Sequence, residues 1–189
     1  MFRSLLIALA LTLGMTAQAN TINSVIAENF IRALTSEVDT QGLNFKVGDQ
    51  TAYSVDMSII KGSMVMTVKS VAADEVVITQ DMDLGFAGKQ NCEQTINPNT
   101  GEIKKMVCNG QEQNQESPSY EIVDTKEDTI TVPAGTFTCL YIKAKNTKDD
   151  SIAEQWVSPK QIPVFGMVKM LAPSQFGQVK VELKSFKKN

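Results

Sequence analysis

The chain contains no histidine. Imidazole is the commonest general base near neutral pH and the commonest nitrogen ligand for transition metals. Its absence excludes Ser-His-Asp and Cys-His hydrolases and HExxH metalloproteases. No Walker A loop occurs, and no GxGxxG follows a strand, so nothing marks a nucleotide site. There are only three cysteines and no CxxC pair, which removes a thioredoxin-type redox centre. Lysine and arginine number 18 against 21 aspartates and glutamates, a formal net charge of −3 spread along the chain. Nucleic-acid binding calls for a basic patch, and none is present, so nucleic acid is not an expected partner. The lysines of the tail "LKSFKKN" read as solvated charges. Beyond residue 19 no apolar run approaches the roughly 20 residues of a spanning helix, so the mature protein is expected not to cross a membrane.

What is present begins with "MFRSLLIALALTLGMTAQANT". Arg3 is a short positive region, Leu5 to Leu13 an apolar region, and Ala17-Gln18-Ala19 a small-x-small cleavage site. The pattern predicts a signal peptide over residues 1–19 and a single exported domain over residues 20–189. The expected location is the periplasm, with onward secretion left open.

Asn20 to Ser36 has helical spacing: Ile22, Val25, Ile26, Phe30, Ala33 and Leu34 form one stripe. From Ala52 the period changes to two. In "TAYSVDMSI", Tyr53, Val55, Met57 and Ile59 alternate with small or polar residues, and Lys61-Gly62 is expected to turn the chain. "SMVMTVKSV", "EVVITQDMDL", "YEIVD", "TITV", "FTCLYIKAK", "IAEQWVSP" and "GQVKVELKSF" read as further strands, and the run Gln111–Ser119 as a polar loop. "QIPVFGMVKML" carries Pro163 and Gly166 and reads as a bent edge segment followed by a short strand. The count is nine or ten strands and one helix. The expected fold class is mainly β, a curved antiparallel sheet (half-barrel) with an N-terminal α-helix covering its apolar face.

The hairpin "NCEQTINPNTGEIKKMVCNG" permits a finer prediction. A three-residue loop Asn99-Thr100-Gly101, with glycine in the left-handed position, sets Pro98 opposite Glu102. Counting outward, Cys92 falls opposite Cys108 on the same face. In an oxidising compartment this predicts a Cys92–Cys108 disulfide, although three cysteines allow other pairings.

Cys139 then stands alone in "TVPAGTFTCLY". A reactive thiol needs a helix N-terminus, a partner thiol or a cation to lower its pKa, and the sequence offers none. The expected role is a small buried residue after a Pro133-Ala134-Gly135 corner. This stretch, with Phe137, then Trp156, Pro163, Gly166, Val168 and Lys169 in "EQWVSPKQIPVFGMVKM", resembles the C-terminal signature of a family of periplasmic bacterial proteins of unknown function. That family is similar in half-barrel architecture to the LolA/LppX lipoprotein-handling proteins. The resemblance implies a fold and a compartment. It implies no catalytic residue.

Nine methionines are many for this length, and Met57, Met64, Met66, Met82, Met106, Met167 and Met170 all fall on predicted strands. Flexible thioethers fill irregular cores and also line adaptable apolar cavities. The carboxylate pairs Asp81/Asp83, Glu127/Asp128 and Asp149/Asp150 are expected to face solvent. No nucleophile–base pair is visible, so no enzyme activity, catalytic residue, cofactor or metal is expected. The leading expectation is a non-enzymatic binding protein for a lipid, an acyl chain or an apolar peptide. Its lining would come from Ile26, Phe30, Tyr53, Met64, Met66 and Trp156. The alternative is an envelope or secreted interaction factor with a filled core, engaging a protein partner.

Overall fold

The structure is a computed structural model, and it describes residues 44–99, 103–113, 120–174 and 177–189. The segment expected to form the N-terminal helix, with Ile26 and Phe30, lies outside the described residues, as does the predicted signal peptide. Eleven strands form one antiparallel sheet: β1 (Gln50–Met57), β2 (Ile60–Val71), β3 (Val76–Asp83), β4 (Lys89–Ile96), β5 (Ile103–Cys108), β6 (Gln111–Glu112), β7 (Tyr120–Val132), β8 (Gly135–Asn146), β9 (Ile152–Val157), β10 (Met167–Ser174) and β11 (Gly177–Lys187). Their spatial order is β6-β5-β4-β3-β2-β1-β11-β10-β9-β8-β7. Two meanders thus run outward from a central β1–β11 pair, in register from Val55 opposite Val181.

This order forces curvature. A flat sheet of eleven strands at ~4.8 Å spacing would hold its edges roughly 48 Å apart. The chain must pass from Glu112 on one edge to Tyr120 on the other. Eight residues of fully extended chain span at most about 29 Å. The sheet therefore curls until its edges approach, yet β6 and β7 do not pair and the sheet stays open. The turn between β7 and β8 reaches β11 past the ends of β9 and β10, where the Ala134 N–H donates to the Leu183 carbonyl at 3.1 Å. The Phe137 ring lies 6.4 Å from that of Phe186.

Several expectations are corrected here. The first hairpin turns at Ser58-Ile59, with Met57 opposite Ile60, not at Lys61-Gly62. Ile59 is consequently 75% exposed. Gly62 lies inside β2, where a Cβ would stand 2.3 Å from the Asp83 carbonyl oxygen, so close strand approach explains this glycine better than a turn. "YEIVD" and "TITV" are one strand of 13 residues, bent by a bulge at Val123. The strand expected after the bend is β10, which lies in the interior between β9 and β11, so the bend does not precede an edge. The segment before β10 is a loop that buries Ile162, Val164 and Phe165, with Phe165 edge-on to Phe45 at 6.2 Å. Asn109-Gly110, both at positive φ, makes a further tight hairpin into β6, which takes Gln111 and Glu112 out of the expected loop.

The disulfide expectation holds: Cys92 is bonded to Cys108, and the two residues are register partners. A bulge shifts the register by one residue between Thr95 and Ile96, nearer the turn than the cysteines. The count outward from the turn still reaches the right pair.

Candidate functional site: the inner face of the sheet

Register partners in an antiparallel sheet share a face, so the pairings assign every side chain to one side. One row runs Leu183, Tyr53, Met64, Met82 across β11, β1, β2 and β3. The next runs Met66, Gln80, Cys92, Cys108, and a third runs Val68, Ile78, Gln94, Met106. On the other side of the central pair, Val55 meets Val181, Val181 meets Met170, and Met170 meets Gln155. All of these residues are buried. They form the concave, inner face. Charged residues such as Lys169, Lys180 and Glu182 lie on the opposite, outer face.

Of the sequence-predicted lining, Tyr53, Met64 and Met66 stand together on the inner face. The Tyr53 hydroxyl donates to the Met167 carbonyl at 3.2 Å. Burial holds its pKa well above the ordinary phenol value, so it stays neutral. Trp156 departs from this group. Its register partners are Tyr141 and Lys169, which places it on the outer face. Its indole N–H donates to Asp128 Oδ2 at 2.8 Å, Lys169 Nζ sits 5.3 Å above its ring, and the Tyr141 ring lies 5.0 Å away. Tyr141 donates to Glu154 Oε2 at 3.0 Å.

The sequence reading missed three residues of the inner face: Gln80, Gln94 and Gln155. Their exposures are 1%, 1% and 3%, and among the described residues neither Nε2 nor Oε1 of any of them has a hydrogen-bond partner. Buried amides are ordinarily satisfied. The available signal was parity. Gln80 continues the series Val76, Ile78, Met82, and Gln94 lies between Cys92 and Ile96.

The other candidates do not assemble a site. Cys139 is buried and reduced, and its thiol is pushed up to about 12, first by burial and then by the Asp128 charge. A nucleophilic cysteine needs the opposite shift. On the outer face a shallow pocket lined by Ser63, Asp81, Asp83 and Asn91 holds one carboxylate pair. Asp81 accepts from the Asn91 amide, and Asp83 is ion-paired with Lys89 at 2.9 Å. Lys89, then the Gly85 N–H, hold the Asp83 carboxyl below the usual range, so it is no proton donor near neutral pH. Asp128 is not the freely solvated carboxylate the sequence suggested, because it receives the Trp156 bond. Among the described residues no group of three or more cysteine, aspartate or glutamate side chains is arranged to hold a metal ion. No described helix is long and apolar enough to cross a membrane.

No family model and no curated protein matches the chain. Solved structures similar over most of its length include the following three. One, from Bacteroides fragilis, is described as a "putative exported protein with YmcC-like fold"; it is 14% identical, covers 77% of this chain and 98% of its own, and has a TM-score of 0.44. A "putative lipoprotein" from Parabacteroides distasonis is 14% identical with the same coverages and a TM-score of 0.45. A hypothetical protein of Chlamydia trachomatis is 10% identical, covers 75% of this chain and 87% of its own, and has a TM-score of 0.47. These likenesses are too distant to transfer any property.

Proposed function

We propose that the protein is an exported, non-enzymatic binding protein that holds an apolar ligand, a lipid, acyl chain or apolar peptide, against the inner face. The observation that carries this reading is the methionine wall. Met57, Met64, Met66, Met82, Met106 and Met170 share one face of a sheet that curls without closing. Unbranched thioethers repack around ligands of different shape. Export and a periplasmic location are supported by the N-terminal signal pattern and by the disulfide, which persists in oxidising compartments. The inner wall would be completed from Tyr53 and, outside the described residues, from Ile26 and Phe30.

Native mass spectrometry of protein purified from the periplasm without reductant tests the reading. An adduct of lipid or peptide mass, released on activation, supports it, and the bare monomer mass alone sinks it. A second reading has its own observation. Ile59 in the β1–β2 turn and Phe86 in the short 3-10 turn Gly85–Ala87 are 75% and 83% exposed. The two turns adjoin, since a Cβ on Gly85 would lie 3.7 Å from the Lys61 carbonyl. These exposed turns and, at the sheet's far edge, the 13-residue strand β7 suit an envelope interaction factor.

A further inference from the structure

We infer that the inner face takes a polypeptide segment in extended form, and that Gln80, Gln94 and Gln155 are the groups that bind its backbone amides. The inference rests on the binding reading above and narrows it to one ligand class. Each glutamine is at least 97% buried, and among the described residues each lacks both a donor for its Oε1 and an acceptor for its Nε2. A hydrocarbon chain satisfies neither atom. The ester linkages of a lipid carry acceptors only and leave every Oε1 orphaned. A secondary amide supplies a donor and an acceptor side by side, the complement of a glutamine side chain.

Position narrows the class further. Gln80 and Gln94 lie on the neighbouring strands β3 and β4, since Gln80 is paired with Cys92, two residues before Gln94. Gln155 is on β9, with β2, β1, β11 and β10 between it and β3. A ligand with a single amide reaches one of these walls. An extended polypeptide presents an amide every ~3.3 Å and reaches both. Between the walls its side chains would meet Met64, Met66, Val181 and Met170, so the segment is apolar.

The test uses the purified protein and three probes: an end-blocked, fluorescent ten-residue peptide of alternating leucine and alanine, the same peptide N-methylated at every backbone amide, and cis-parinaric acid. N-methylation removes the donors and keeps the apolar body and the acceptors. The expected result is at least tenfold tighter binding of the unmethylated peptide. The combined variant Gln80→Met, Gln94→Met and Gln155→Met should abolish that preference while melting at a higher temperature. Equal binding of both peptides, or a preference that survives in the variant, overturns the inference. The N-methylation comparison is made on the unaltered protein, so it stands whatever the variant does. Binding of cis-parinaric acid alone overturns this inference and leaves the binding reading intact, whereas binding of no probe removes both. A photo-crosslinker placed at Met66 should capture the peptide. Capture of the chain's own residues 20–36 in the presence of saturating peptide would instead show the groove to be filled from within, and would overturn it.

Discussion

The two faces of the sheet treat buried polarity in opposite ways. On the outer face, every buried ring with a polar tip has found a partner: Trp156 with Asp128, Tyr141 with Glu154. Lysines 126 and 169 lie over the same two rings, and Lys169 is also ion-paired with Glu182 at 3.5 Å. On the inner face, three amides buried more deeply than these rings have none among the described residues. Leaving a buried polar group unpaired costs about 1–3 kcal/mol, so three of them are a substantial burden on a domain with a stability of about 5–15 kcal/mol. A fold able to satisfy its outer face is not short of hydrogen-bonding partners. On the binding reading proposed above, these amides are kept for a ligand rather than for the sheet.

The largest effects should come from the covalent and steric anchors of the inner face. The Cys92–Cys108 bridge closes a sequence separation of 16 residues. Loop-closure entropy for such a length gives about 3 kcal/mol. Replacing both cysteines with alanine should lower the urea midpoint accordingly, and an unchanged midpoint would show that the hairpin is held by its other contacts. Gly62→Ala should cost about 2–3 kcal/mol, because the new methyl meets backbone at 2.3 Å rather than a flexible side chain. If Gly62→Ala melts within a degree of the unaltered protein, β2 and β3 are not locked where the register places them.

The next pair of predictions tests the comparison directly, because the two changes should have opposite signs. On the outer face, Trp156→Phe keeps a ring and deletes the donor to Asp128. It should destabilise by about 1–2 kcal/mol, the loss of a hydrogen bond to a charged acceptor. On the inner face, Gln94→Met deletes an orphaned amide with little change of volume, and should stabilise by about 1 kcal/mol. Thermal melts of the two single variants suffice. Destabilisation by Gln94→Met would mean that its amide is satisfied after all, and the contrast between the faces would collapse.

Much of this architecture was legible because alternation is a strong signal in half-buried strands. The parity of "TAYSV" and "SMVMTV" puts Tyr53, Met64 and Met66 on one wall, and the hairpin count finds the disulfide despite a bulge. Failures occurred where a residue's type competed with its position. Gln80 and Gln94 occupy core parity, but glutamine ordinarily marks the solvent side, so the alternation around them was read past. In "IAEQWV", Gln155, Trp156 and Val157 are all buried, and parity alone does not say which face is the groove. The sequence reading sets Trp156 on the inner lining. Its indole N–H instead needed an acceptor, and Asp128 supplies one on the outer face. The two-residue turn Ser58-Ile59 was hidden because its second residue is a large apolar one. The edge-to-edge connection between β6 and β7 depends on strand order, which no local pattern encodes.

The smallest effect expected below pH 9, and the last test of the contrast, concerns ionisation on the outer face. The Cys139 thiol is raised from an ordinary 9.0 to about 12 by burial and Asp128. Tyr141 is raised from 10.0 to about 12, first by burial and then by its bond to Glu154. An acid whose folded pKa exceeds its unfolded value holds its proton more tightly when folded. The stability from these two groups is therefore whole below pH 9 and is lost as pH rises from about 9 towards 12. Denaturation midpoints should accordingly be flat with respect to both groups up to pH 9 and fall beyond it. Cys139→Ser retains a hydroxyl that does not ionise in this range, and should shift the onset of the fall towards pH 10, where Tyr141 takes over. At pH 8 the folded protein should leave Cys139 untouched by a thiol reagent, with labelling only after urea is added. Rapid labelling of the folded protein would mean that the outer face opens around Cys139, and that its burial is not maintained in solution.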